Sequence, residues 1–107
     1  MKKLHISIST DNIGDSITDY SARLGCEPCS FVPNEYALWR TKHLNLSIRQ
    51  DSDCKPGELR HLGWEDPAAL EFTSDIDVNG ITWERFTSEQ QAAEINEIWP
   101  EADYNPE

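Results

Sequence analysis

From Leu4 to Ser9 apolar and polar residues alternate, with Leu4, Ile6 and Ile8 set against His5, Ser7 and Ser9. A period of two predicts a half-buried strand with His5 on its polar side. Asp11 or Asn12 then caps a helix. Its apolar stripe is Ile13, Ile17, Tyr20 and Leu24. Gly25 ends it, because glycine enters the left-handed cap conformation without strain, and Pro28 begins the exit. Short strands are expected around Cys29–Val32 and Tyr36–Arg40, joined through Pro33 and Asn34. After a turn at Thr41-Lys42-His43, alternation resumes without a fault. Leu44, Leu46 and Ile48 face the helix; Asn45, Ser47 and Arg49 share the side of His5.

The second half is less regular. A loop from Gln50 to Glu58 turns at Lys55-Pro56-Gly57. Leu59 to Glu65 reads as a strand that Asp66-Pro67 breaks, and Leu70–Asp75 is a weaker strand pattern. Asn79-Gly80 signals a hairpin. On the segment Ile81–Phe86 that follows, Thr82, Glu84 and Phe86 share one face, and Ile81, Trp83 and Arg85 the other. Thr87-Ser88-Glu89-Gln90 matches a capping box. It opens a helix whose narrow apolar side is Ala92, Ile95, Ile98 and Trp99. That helix ends by Pro100, and the tail from Glu101 is expected to fray.

With 107 residues the chain predicts one domain and one core. Twenty acids against nine bases give a formal charge of −11. Such a surface repels phosphate backbones and anionic headgroups, so neither nucleic acid nor membrane is an expected partner. Plain solubility, a salt-adapted host or a cationic partner each account for the acidity. No apolar run approaches the ~18 residues a spanning helix needs, and Met1-Lys2-Lys3 leads straight into a strand, so a cytoplasmic location is expected. Three cysteines, an odd number, argue against a disulfide framework. Cys26 and Cys29 have C-x-x-C spacing, but they follow a helix end and lack a second ligand pair. They read as ordinary thiols.

The chemistry lies in three of the predicted strands. If those strands lie side by side, His5, His61 and Glu84 converge as two imidazoles and one carboxylate. That facial set holds a divalent transition metal and leaves positions open for water or substrate. A carboxylate on an inward strand face needs a cation or hydrogen bonds in any case. Alone, His5 also fits a satisfied core histidine. Ser7, Ser47 and Arg49 share its side as candidate substrate contacts. Arg49 either grips an anionic group or neutralises a neighbouring acid. Tyr36 and Trp39 either line a pocket mouth or pack in the core. His43, in its turn, faces solvent. No separate general base stands out; Glu58 and Glu65 are candidates only by nearness in sequence.

Leu4-His5-Ile6-Ser7-Ile8-Ser9 with Asp11-Asn12-Ile13 and Leu24-Gly25-Cys26-Glu27-Pro28 resembles the opening of the glyoxalase / bleomycin-resistance / extradiol-dioxygenase (vicinal oxygen chelate) superfamily. Pro56-Gly57 with Leu59-Arg60-His61-Leu62-Gly63 resembles its middle. Asp77-Val78-Asn79-Gly80-Ile81-Thr82-Trp83-Glu84-Arg85-Phe86 resembles its closing strand. The nearest flavour is that of the cadmium-induced and organoarsenical-lyase-like members. The resemblance implies an α+β fold of paired βαβββ modules around a shared cleft. Residues 1–58 would form a complete module, 59–87 a shortened second one, and 88–100 a C-terminal helix. It also implies His5, His61 and Glu84 as ligands of a divalent Fe, Mn, Ni or Zn ion; a fourth ligand, used by some members, would fall near Asn45 or Ser47. The cysteines do not occupy the place of the lyase-like members' cysteine pair, so arsenic chemistry is not implied. The expected function is that of a small metal-dependent lyase, isomerase or dioxygenase acting on a small organic or metalloid compound. The alternative is a protein that sequesters a small molecule in the same cleft. Leu62, Trp64, Ile81 and Trp83 would share the back of the shortened half. Either the C-terminal helix or the second subunit of a homodimer is expected to cover them.

Overall fold

The computed structural model describes residues 1–106. Seven strands and two helices follow one another as β1 (Lys3–Thr10), α1 (Ile13–Leu24), β2 (Ser30–Val32), β3 (Tyr36–Arg40), β4 (Leu44–Gln50), β5 (Leu59–Glu65), β6 (Thr73–Ile76), β7 (Thr82–Phe86) and α2 (Ser88–Ile98). A 3-10 turn at Pro100–Ala102 follows. The protein is α+β, built on one mixed sheet in the order β2-β3-β4-β1-β5-β7-β6. No helix among the described residues is long and apolar enough to cross a membrane.

Local chemistry sets the elements. The Asn12 side chain accepts from the Asp15 amide to start α1, and Gly25 closes it at φ 73°. At such a positive φ a Cβ is strained, so glycine stands there. Thr87 and Gln90 form both halves of the capping box that starts α2. In the sheet, β1 pairs parallel with β4 on one side and antiparallel with β5 on the other. β5 then pairs parallel with β7. The first half follows β-α-β-β-β connectivity, whereas no helix lies between β5 and β6.

Two cores flank the first half of the sheet. On one face Ile13, Ile17, Tyr20 and Leu24 of α1 pack on Ala37, Trp39, Leu46 and Ile48. On the other, Ala92, Ile95 and Trp99 pack on Val32, Tyr36 and Leu38. Strand β3 is therefore buried on both sides, which its unbroken apolar run Tyr36-Ala37-Leu38-Trp39 allows.

Two expectations need correction. The C-terminal helix does not cover the back of the second half; it lies on the face of His5. Its apolar side found a better partner there, because Tyr36 and Leu38 present large surfaces opposite Ile95 and Trp99, with Tyr36 stacked on Trp99 at 4.7 Å between ring centroids. Trp64, 36% exposed, and the half-buried Leu62, Ile81 and Trp83 are left with no helix over them. Nor does the tail fray over its described residues, Glu101 to Pro106; Glu107 lies outside them. Tyr104 is buried in the α2 core, and Asn96 bonds its backbone twice, donating to the carbonyl at 2.9 Å and accepting from the amide at 2.8 Å.

Candidate metal centre

The sheet register brings the three predicted donors together. His5 stands opposite Asn45 on β4 and Gly63 on β5, and Gly63 stands opposite Glu84 on β7. The position between His5 and Glu84 thus carries no side chain. His61, two residues before Gly63, points to the same face. One ligand atom from each of His5, His61 and Glu84 falls within 4.8 Å of the others. Nε2 of His5 is 2.9 Å from Nε2 of His61, and the latter is 3.1 Å from Oε1 of Glu84. Glycine is required at position 63, where an added Cβ would lie 2.2 Å from the Glu84 carbonyl oxygen.

A chain of polar contacts fixes the state of His5. Arg40 grips Glu65 with two hydrogen bonds of 2.8 and 2.7 Å. The Glu65 carboxylate accepts from Asn45 Nδ2 at 2.8 Å, which orients that amide. Asn45 Oδ1 therefore faces His5 and accepts from its Nδ1–H at 2.8 Å. Gln91 of α2 locks the same amide, accepting from Nδ2 and donating to Oδ1. With its proton held on Nδ1, His5 turns the lone pair of Nε2 into the site, the tautomer a metal ligand needs. Burial is the main reason its pKa lies below the ordinary imidazole value, although the Asn45 bond opposes the shift. His5 is neutral at neutral pH.

Glu65 is therefore no general base. Burial alone would raise its pKa, but the Arg40 and Asn45 bonds hold it below the usual carboxylate value. Its folded pKa being depressed, its stabilising contribution is complete above about pH 4.5 and lost as the pH falls through the folded value. Wild-type protein will lose more stability between pH 5 and 3 than Glu65→Gln, as read from urea midpoints; equal losses would contradict the network. Arg40→Ala strands the carboxylate. Arg40 and Glu65 side chains are 19% and 6% exposed, so a loss near the lower end of the range for breaking a buried pair, about 3 kcal/mol, is expected by denaturant unfolding.

The site opens into a cavity of about 120 Å³ between the sheet and α2. All four predicted contacts, Ser7, Tyr36, Ser47 and Arg49, line it. Ser47 donates to Ser7 at 2.9 Å. Burial pushes the Tyr36 phenol far above its usual pKa, so it stays protonated. Trp39 does not line the cavity; it lies in the α1 core with its indole N–H on Ser21 at 3.3 Å. Asn45 Oδ1 is engaged by His5 Nδ1 and Ser47 Oγ by Ser7, so Asn45 acts through His5. His43 is exposed and does not belong to the donor group.

Sequence reasoning missed two charged cavity residues, Arg60 and Glu94. Between Ser7 and Ile8 of β1 the partner residue on β5 jumps from His61 to Leu59, so Arg60 is an extra residue at a β-bulge. Strict alternation would send Arg60 away from His61; the bulge brings it to the same cavity, within 3.4 Å of Ser7 Oγ. Glu94 of α2 also lines the cavity, and burial followed by the Glu84 charge raises its pKa. It escaped notice because α2 was considered only as a candidate cover for the other face, with a second subunit as the alternative.

No protein-family model matches this chain, and no curated protein matches it.

Proposed function

We propose that this chain is a small metal-dependent enzyme whose divalent ion is held by His5, His61 and Glu84. The observation that carries the reading is the geometry of the donors. Two donors about 2.1 Å from one ion and at right angles stand about 3.0 Å apart. The distances of 2.9 and 3.1 Å match that spacing. The neutral, oriented His5 completes the fit. When bound, such an ion keeps open positions, polarises a substrate carbonyl and lowers the pKa of a coordinated water.

The chain's own groups supply the rest. Asn45, Glu65 and Arg40 hold His5 in its ligand tautomer. Phe86 packs edge-on against His5 at 4.9 Å and stacks on Phe72 at 5.3 Å, so apolar rings border the donors. Ile95 of α2 and Trp99, the residue that caps its end, give the cavity an apolar wall. Tyr36 offers a neutral phenol as hydrogen-bond donor. Glu94, with its raised pKa, is the carboxyl suited to carry a proton at the cavity wall. At about 120 Å³ the cavity is smaller than the roughly 300–1,000 Å³ typical of drug-sized ligands, which favours a compact substrate.

The reading extends to ancestry and assembly. The parallel pairs β1–β4 and β5–β7, joined through antiparallel β1–β5, support descent from paired βαβββ modules of the vicinal-oxygen-chelate type, the second having lost its helix and a strand. The uncovered Trp64 and Trp83 face supports a homodimer, which light scattering at twice the chain mass would establish.

Metal analysis tests the central claim. Protein dialysed against chelator and titrated with Mn(II), Fe(II), Ni(II) and Zn(II) will bind one ion per chain. Absence of stoichiometric binding by all four would end the enzyme reading. Small-molecule capture that survives chelation would support the sequestering alternative.

A further inference from the structure

The chain holds five arginines, and three of them are spoken for. Arg23 pairs with Asp19, Arg40 with Glu65 and Arg85 with Asp66. Among the described residues, Arg49 and Arg60 alone of the five have no carboxylate within ion-pair distance, in a chain with twenty acids. Both line the cavity of the metal centre. They reach it from different strands and by different means. Arg49 follows the alternation of β4 and rests over the Trp99 ring at 5.1 Å. Arg60 is aimed there by the bulge in β5. Glu94 faces the same space without pairing with either.

Two guanidinium groups beside one another repel, and a surface so acidic has carboxylates to spare for them. Arg49 is half-buried and Arg60 exposed, so water reaches both, and side by side at one end of a cavity they offer an incoming anion two adjacent positive charges. Each guanidinium presents a planar fork of donors that matches an oxyanion. Ser7, held by Ser47 and touched by Arg60, adds a hydroxyl between the arginines' end and the histidines.

We infer that Arg49 and Arg60 form an anion subsite, so the substrate is a small organic acid that places a carboxylate or phosphonate on the arginines and a second oxygen function toward His5, His61 and Glu84. The anion subsite itself rests on the arginines; only the second half of this assignment rests on the metal reading. The bulge then has a purpose, since it converts a residue of the α1-facing register into a ligand contact.

The test uses metal-free full-length protein, with the Arg Nε–H signals followed by nitrogen-edited NMR at constant ionic strength. The probes are acetate, methylphosphonate and neutral acetamide. Acetate or methylphosphonate will shift the Arg49 and Arg60 signals saturably, and acetamide will not; the tighter of the two anions names the head group. Arg60→Gln and Arg49→Gln, checked for folding by circular dichroism, will each weaken the anion at least tenfold. Equal response to acetamide and to both anions, or anion affinity unchanged in both variants, would overturn the subsite. A separate Mn(II) titration keeps the two claims apart. Anion binding that depends on the arginines in protein that binds no metal would sustain the subsite and remove the metal reading.

Discussion

Gly63→Ala will destabilise the protein by about 3 kcal/mol and weaken metal binding more than tenfold. In an ordinary strand interior the same change is stabilising, by roughly 0.5–1 kcal/mol, because alanine loses less backbone freedom on folding. The sign therefore discriminates. At this position the new Cβ would sit 2.2 Å from the carbonyl oxygen of Glu84, and its next neighbours are also backbone atoms of that residue. No flexible side chain can yield, so β5 and β7 must separate, at the upper end of overpacking costs. Separation moves Glu84 away from the two histidines. Urea unfolding and a metal titration read the two effects, and a stabilised variant with wild-type affinity would refute the close approach.

Replacement of the donors themselves gives the second large effect. Glu84→Gln keeps the shape of the side chain and removes its charge, and will cost more than about 100-fold in metal affinity. Asn45→Leu, which touches no ion, will cost about 10–100-fold by releasing the His5 tautomer. It will also destabilise the fold, since Asn45 is fully buried and Glu65 and Gln91 lose their shared partner. The graded order, carboxylate above amide, is the signature of a ligand with a supporting partner. Equal affinities in wild type and Glu84→Gln would exclude Glu84 as a ligand.

Much of this arrangement is legible in the chain. The α1 stripe, its Asn12 and Gly25 caps and the alternation of β1 and β4 are local signals that tertiary packing reinforces. That is why the faces of His5, Asn45 and Ser47 follow from sequence. Three things do not follow. Arg60 is hidden by a bulge, which shifts the period by one residue without changing composition. The side taken by α2 depends on a contest between two apolar sheet faces. The run Tyr36-Ala37-Leu38-Trp39 carried the hint, because residues buried on both sides of a strand require a layer on each. Gly63 could have been noticed too, since a glycine inside a strand often marks a close approach of backbones.

The two halves of the sheet are shielded very unequally. β3 is sandwiched between helices, whereas all four residues of β6 are exposed and β7 is only partly covered. Amide protons should therefore exchange first along the β6 margin and last in β3, a gradient that native-state exchange reads directly. Glu84 sits near the weak end of that gradient and His5 near the strong one. Local opening at the margin would carry off the carboxylate while the imidazoles stay seated, so the proposed ion site would come apart before the interior melts.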